Sequence, residues 1–485
     1  MFSINPVALR EMRQMARNKI VSSGLIAFLF IQLVAVMLNV AAEADGSSGA
    51  ELAGKAIGQS VAATVCVLLD IVALGAIPLF FATRLTLEKS AENMDLQFAT
   101  ALRPAQFADG KIVSAFVLLL LCASATSPFL MLAYILRGMD VGETFAIIGS
   151  VILWSLLVIC AGVFIASLNI PKALRFILMA GAGVFLMWMS LDDPLYINDE
   201  LPFVFLKEWD MACVVGGIIL SLCAILRSAA AANLAPPHTN GQRPLRRDLA
   251  LVWLLWGALA VIYTVLTNEP YLVIWYSLSS LLIGGALMMT AVSSESGPSR
   301  RVASEVSRNG FRRRLQFLFF TGAEGGVCYA LLFSFLTAAI TNCAVYSFYI
   351  EDFSDEIDRV IFSYFTVLFS CYPVAFFITT RLIWQVLLRR SVNRKFVGFF
   401  GFIWMILASI LPYLFTLGSK NPGAASYWPG NINVLFPGMI DYGESLQIGR
   451  FHAAFSAAWL LIAFLCYSPS VLKSFSRFRR NDMRA

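Results

Sequence analysis

The sequence predicts an all-α, polytopic membrane protein, and three observations carry that prediction. Of 485 residues, 59% are apolar and 14% charged, against about 45–50% and about 25% in an ordinary soluble domain. The apolar residues gather into about twelve runs, each long enough to cross a hydrocarbon core of about 30 Å at about 1.5 Å per residue. None of the runs alternates apolar and polar residues as a membrane barrel strand does, so helices are the expected spanning element.

In chain order the runs cover residues 20–42, 58–83, 111–136, 144–168, 172–190, 210–227, 249–267, 271–292, 327–349, 360–386, 396–417 and 452–469. The connecting loops orient them. With the N-terminus in the cytoplasm, most of the 36 Lys and Arg sort to the inner side and most of the acids outside, as the positive-inside rule requires. Twelve spans with both termini cytoplasmic, in a cell inner membrane, are therefore expected. The basic, amphipathic start and the long first run read as a first anchor rather than a cleavable leader.

The same reading excludes several function classes. The formal net charge of +6 follows from topology. The basic stretch "RRVASEVSRNGFRRR", residues 300–314, reads as a cytoplasmic loop that holds orientation and meets anionic headgroups, not as a nucleic-acid surface. Nine cysteines are spread singly without a CxxC pair, so they read as packing residues. His238 and His452 are the two histidines, too little material for a metal centre. No outside loop gathers a nucleophile, a base and an orienting acid, so no catalytic residue is expected.

Long loops recur at corresponding places, at 84–110 and 293–326 and again before the sixth and twelfth runs. This suggests two six-span halves, residues 1–235 and 236–485, joined by "NLAPPHTNGQRPLRRD", which has the Pro, Gly and Asn content of a loop.

Two segments next to the spans carry most of the functional signal. The chain opens "NPVALREMRQMARNK". Asn5 can cap a helix whose first position is Pro6, where the missing N–H costs nothing. Leu9, Met12 and Ala16 would share a face opposite Arg10, Arg13 and Arg17, as in a helix lying along the inner membrane surface. The second segment is "TLEKSAENMDLQFATALRPAQFADGK", residues 86–111. There Leu87, Ala91, Met94, Phe98, Ala101 and Ala105 recur at helical spacing. Glu88, Glu92 and Asp95 crowd its first half, on the side where acids do little for orientation. Contact with a basic surface on a soluble partner is one use for them, and a solvated extension of the second span is the other.

These residues resemble the membrane subunits of ABC-2 type transporters, permeases that work with a separate ATP-binding-cassette ATPase. The resemblance covers roughly residues 1–235. It rests on "NPVALRE" before the first span, on Glu88, Glu92 and Asp95, then "FATALRP", and on Gly110 and Lys111 opening the third span. Ala101 stands where many members have proline, and Asp95 where glutamate is usual. The resemblance implies that Asn5, Pro6, Arg10, Glu11 and Arg13 belong to an N-terminal amphipathic elbow helix. It also implies that Glu88, Glu92, Met94, Asp95 and Phe98 belong to a cytoplasmic coupling helix that docks on the ATPase. ATP and magnesium would then sit on that partner, with no cofactor or metal on this chain. The full membrane domain would be a homodimer, or a pseudo-dimer of the two halves. "GAELAGKA", residues 49–56, fits the Gly-x-x-x-x-Gly-Lys skeleton, but Ala56 replaces the Ser or Thr that would hold magnesium.

Asp70 is the one acid in the interior of a predicted span. A carboxylate there costs several kcal/mol unless it is neutral, paired or wetted. It either fixes helix packing or lines a pathway, and in the latter case the alternative to an ABC permease is an ion-coupled secondary transporter using Asp70.

Overall fold

In a computed structural model the chain is a membrane protein built from helices. The structure describes residues 5–44, 50–89, 104–168, 175–181, 183–184, 209–236, 239–267, 271–294, 300–347, 356–388, 393–416 and 442–479. It divides into two compact units, Met1–Pro236 and Pro237–Ala485.

In the first unit, α1 (Pro6–Ala16) precedes α2 (Lys19–Ala44) and α3 (Ala50–Asp70). A π-helical turn, Ile71–Ala76, joins α3 to α4 (Ile77–Glu88). Then come α5 (Pro104–Ile135), α6 (Val141–Ser167) and α7 (Trp209–Leu234). The second unit holds α8 (Gln242–Thr267), α9 (Tyr271–Ser293) and the short α10 (Arg300–Ser304) and α11 (Gly310–Phe319). It continues with α12 (Ala323–Ser347), α13 (Glu356–Ile383) ending in a π-helical turn (Trp384–Leu388), α14 (Val397–Thr416) and α15 (Tyr442–Arg477). No strand occurs among the described residues.

Ten described helices are long and apolar enough to cross a membrane, and Val397–Leu411 is a shorter apolar helix. The run expected at 172–190 lies partly outside the described residues. Helices outrun the hydropathy at several ends. α5 starts at Pro104 rather than at residue 111, and α15 starts at Tyr442 and continues to Arg477. Polar residues such as Gln106 and Glu444 keep helical backbone bonds even though they leave the apolar window.

Packing explains why the spans hold together although lipid is as apolar as their side chains. In the first unit Leu69, Ala73, Ile77 and Phe81, from α3 through α4, meet Ala115 and Leu119 of α5 and Ile159 of α6 in one buried cluster. In the second, Met288 and Val292 of α9 meet Val327 of α12, Val374 and Ile378 of α13 and Tyr467 of α15. The opposite faces are unpaired by protein: Ile20, Ile26, Phe30 and Met37 of α2 are all more than half exposed, as lipid-facing residues are.

Small residues set the closest approaches. A Cβ at Gly58 of α3 would lie 2.7 Å from the backbone nitrogen of Gly138, in the turn that follows α5. The middle of α3 and the turn after α5 meet backbone to backbone there, and no side chain fits between them.

Candidate functional site

The site centres on α1. Asn5 caps it as its sequence demands: the side-chain oxygen accepts from Val7 N–H at 3.0 Å, and Pro6 takes the first turn. The other end of the same amide donates to the carbonyl of Gln106 at 2.6 Å, so the cap also ties α1 to the first turn of α5. Arg10, Arg13 and Arg17 face outward as expected. The side packed against protein consists of Val7, Ala8, Glu11 and Met15, which puts an acid inside; Met12 is half-buried against the first cluster and Leu9 is exposed. The physical reason is Lys111. This residue is fully buried, and it draws an acid to the inner face of the helix.

Four side chains close a ring of alternating charge. Lys111 Nζ of α5 donates to Glu11 Oε1 at 2.8 Å and lies 2.7 Å from Glu88 Oε2, an ionic contact without hydrogen-bond alignment. Arg84 Nε of α4 donates to Glu88 Oε1 at 3.2 Å, and its Nη2 lies 3.5 Å from Glu11 Oε2. Arg84 also donates to Gln14 of α1. Two acids and two bases therefore cancel at a point where Glu11 and Lys111 have no exposure at all. A buried charge without a partner would be costly there.

Gly110 lets α1 come this close. A Cβ at Gly110 would lie 2.6 Å from Val7 Cβ and Cγ1. Around the ring, Lys89 Nζ donates to the carbonyls of Ser167 and Leu168 where α6 ends. Arg227 of α7 holds both oxygens of Asp109, with Nη2 to Oδ2 at 2.7 Å. Burial, and then the Arg175 charge, push the Lys89 amine down from 10.5 to about 8.

The ring and its neighbours fix both flanks of residues 90–103: α4 and Lys89 on one side, α5 on the other. Glu88 is thereby engaged inside its own chain. Glu92, Met94, Asp95 and Phe98 lie outside the described residues, as does Ala101. Asp70 is half-buried at the end of α3, close enough to Cys66 one turn earlier for the two groups to interact. The π-helical turn begins at the next residue, and its last bond runs from Ile77 N–H to the Val72 carbonyl. Pro78 follows directly, lacking an N–H to continue an ordinary helical ladder. π-helical turns of this kind occur often at functional sites.

Residues 50–56, which carry most of the Gly-x-x-x-x-Gly-Lys look-alike, are helical from Ala50 onward. They form no phosphate-cradling loop. His452, expected at a span edge, is buried on α15 and pairs through Nδ1 with the Tyr372 hydroxyl at 2.5 Å. His238 lies outside the described residues. All nine cysteines are free thiols.

In the second unit, Arg246 of α8 is buried and grips the end of α11. Its Nη1 donates to the carbonyls of Leu318 and Phe320, both at 2.7 Å. Its own carbonyl accepts from the Tyr329 hydroxyl at 2.7 Å. Sequence reasoning gave Arg246 no role beyond orientation, because its carbonyl partners are more than 70 residues away and carry no side-chain signal. Compared with protein-family models, with curated protein sequences and with solved structures, the chain matches none of them.

Proposed function

We propose that the chain is the membrane-spanning subunit of an ATP-driven transporter of the ABC-2 type, an exporter whose energy comes from a separate cytosolic ATPase. In this reading the twelve spans lie in a bacterial inner membrane with both termini cytoplasmic, and α1 is the elbow helix. Residues 90–103 then dock on the partner. The observation that supports this best is the charge ring: α1, α4 and α5 are locked together at the two flanks of that acidic segment. Movement forced on the segment by a partner would pass directly into the second and third spans. Glu88 serves as part of the anchor, which leaves Glu92 and Asp95 as the acids for a basic partner surface.

The experiment is co-purification of the chain with an ATP-binding-cassette ATPase from the same genome in mild detergent. Association is expected to be lost in the Glu92→Lys, Asp95→Lys variant, whose ring is intact. Undiminished association in that variant would sink the docking assignment.

A second reading rests on Asp70 and the π-helical turn beside it, which together suit an ion-coupled secondary transporter. Uptake or efflux in ATP-free vesicles, abolished by Asp70→Asn, would favour it over the first.

A further inference from the structure

The strongest unassigned surface lies in the second unit, where α11 packs against the last turns of α15. Asn309 caps α11 by accepting from Phe311 N–H at 3.1 Å. Phe317 stacks edge-on against Phe475 and Phe478, with ring centres 5.4 and 5.5 Å apart, and Phe320 meets Phe478 at 5.6 Å. The Arg313 guanidinium covers the Phe475 ring at 5.1 Å. This aromatic joint fixes α11 and so decides what its other side presents.

At about 100° per residue, Phe311 and Leu315 stand opposite the buried Phe317 and Phe320. Phe311 is 76% exposed and Leu315 50% exposed. Arg312 and Arg314 flank that apolar pair. The end of α15 adds Leu472, 67% exposed, with the exposed Lys473 and Arg477 beside it. None of these four cations has an acidic partner among the described residues. The helix is thus apolar on two opposite sides, one satisfied by protein and one not, with cations along the edges of the second.

We propose that this outer face of α11 binds the headgroups of anionic phospholipids, with Phe311 and Leu315 entering the acyl boundary and Arg312 and Arg314 meeting phosphate oxygens, and that Leu472, Lys473 and Arg477 at the end of α15 make a second, separate contact of the same kind. Arginine suits that task because its fork matches phosphate geometry, and a basic helix with exposed Phe and Leu is the form that lies in a membrane interface. Position favours lipid over a soluble polyanion. Ala323, the first residue of α12, follows closely after α11, and Leu472 to Arg477 belong to the same unbroken helix as the apolar part of α15. Both patches therefore stay close to the ends of helices long and apolar enough to cross a membrane. The proposal is independent of the transport reading.

The test uses the full chain in a neutral detergent, titrated with phosphatidylglycerol or phosphatidylcholine while bound lipids are counted by native mass spectrometry. Each cation near an anionic surface contributes about fivefold in affinity. Phosphatidylglycerol is expected to be preferred, and the Arg312→Gln, Arg314→Gln variant to lose about tenfold or more of that preference. The Lys473→Gln, Arg477→Gln variant should lose a similar factor, and Phe311→Ser with Leu315→Ser should weaken both lipids. All three keep the aromatic joint. An unchanged preference in both charge variants would overturn the proposal. So would equal competition by inorganic phosphate, which would mean a phosphate site, or retention of a short RNA duplex in place of lipid.

Discussion

Lys111 holds two carboxylates from different helices, Glu11 of α1 at 2.8 Å and Glu88 of α4 at 2.7 Å. Since Glu11 is fully buried, Lys111→Met leaves one carboxylate with only Arg84 at 3.5 Å to compensate it. Removing one member of a buried pair costs about 3–5 kcal/mol. Replacing Glu11 and Lys111 together by Met leaves Arg84 paired with Glu88 and should recover most of that loss. Thermal midpoints of the two variants in one detergent check this, and the double variant is expected to be the more stable.

Gly110→Ala sets two effects against each other. Alanine gains about 1 kcal/mol of helix propensity over glycine. Its Cβ, however, would stand 2.6 Å from Val7 and 3.1 Å from the Ala8 nitrogen, and overpacking of that kind costs about 1–3 kcal/mol. The clash should win by displacing α1. Trypsin is then expected to cut after Arg10, Arg13 and Arg17 several times faster, and Val7→Gly in the same chain should partly reverse the effect.

Lys89 should titrate in an accessible range. Its amine is pushed down from 10.5 to about 8 by burial and by Arg175. The folded chain therefore binds fewer protons at this site than the unfolded chain between those values, so stability rises with pH across that window and the penalty is fully present below about 8. Acylation of Lys89, followed by mass spectrometry, should show a midpoint near pH 8. Lys89→Met should remove this contribution to the pH dependence.

Arg246→Met leaves the Leu318 and Phe320 carbonyls without their donor. Each unsatisfied buried group costs about 1–3 kcal/mol. Hydrogen exchange at the amides of α11 should accelerate at least tenfold, while those of α9 change little.

What could be read in advance followed from local chemistry. The Asn5–Pro6 start of α1 and the outward Arg10, Arg13 and Arg17 were legible because a cap and a charge stripe are contained in one turn or two. Glu11 was legible only as a member of the helix. Its burial depends on Lys111, a hundred positions away, and apolar periodicity has no means of registering a charge turned inward. The same holds for His452, whose partner Tyr372 sits on another span. Helix ends were misplaced wherever polar residues stayed helical beyond the bilayer, as at Pro104 and Arg477, because hydropathy measures solvent preference and not backbone pairing.

The π-helical turn at Ile71–Ala76 sets where the span containing it tolerates a change of length. In an ordinary α-helix, deleting one residue rotates everything beyond it by about 100°. A wide turn already contains a surplus residue, and losing it restores normal pitch with the downstream register kept. A single deletion within residues 71–76 should therefore leave Arg84 and Glu88 facing Lys111. The same deletion at residues 79–83 should turn both away and open the ring. Trypsin sensitivity of α1 separates the two cases, and equal sensitivity in both would show that the wide turn holds no spare register.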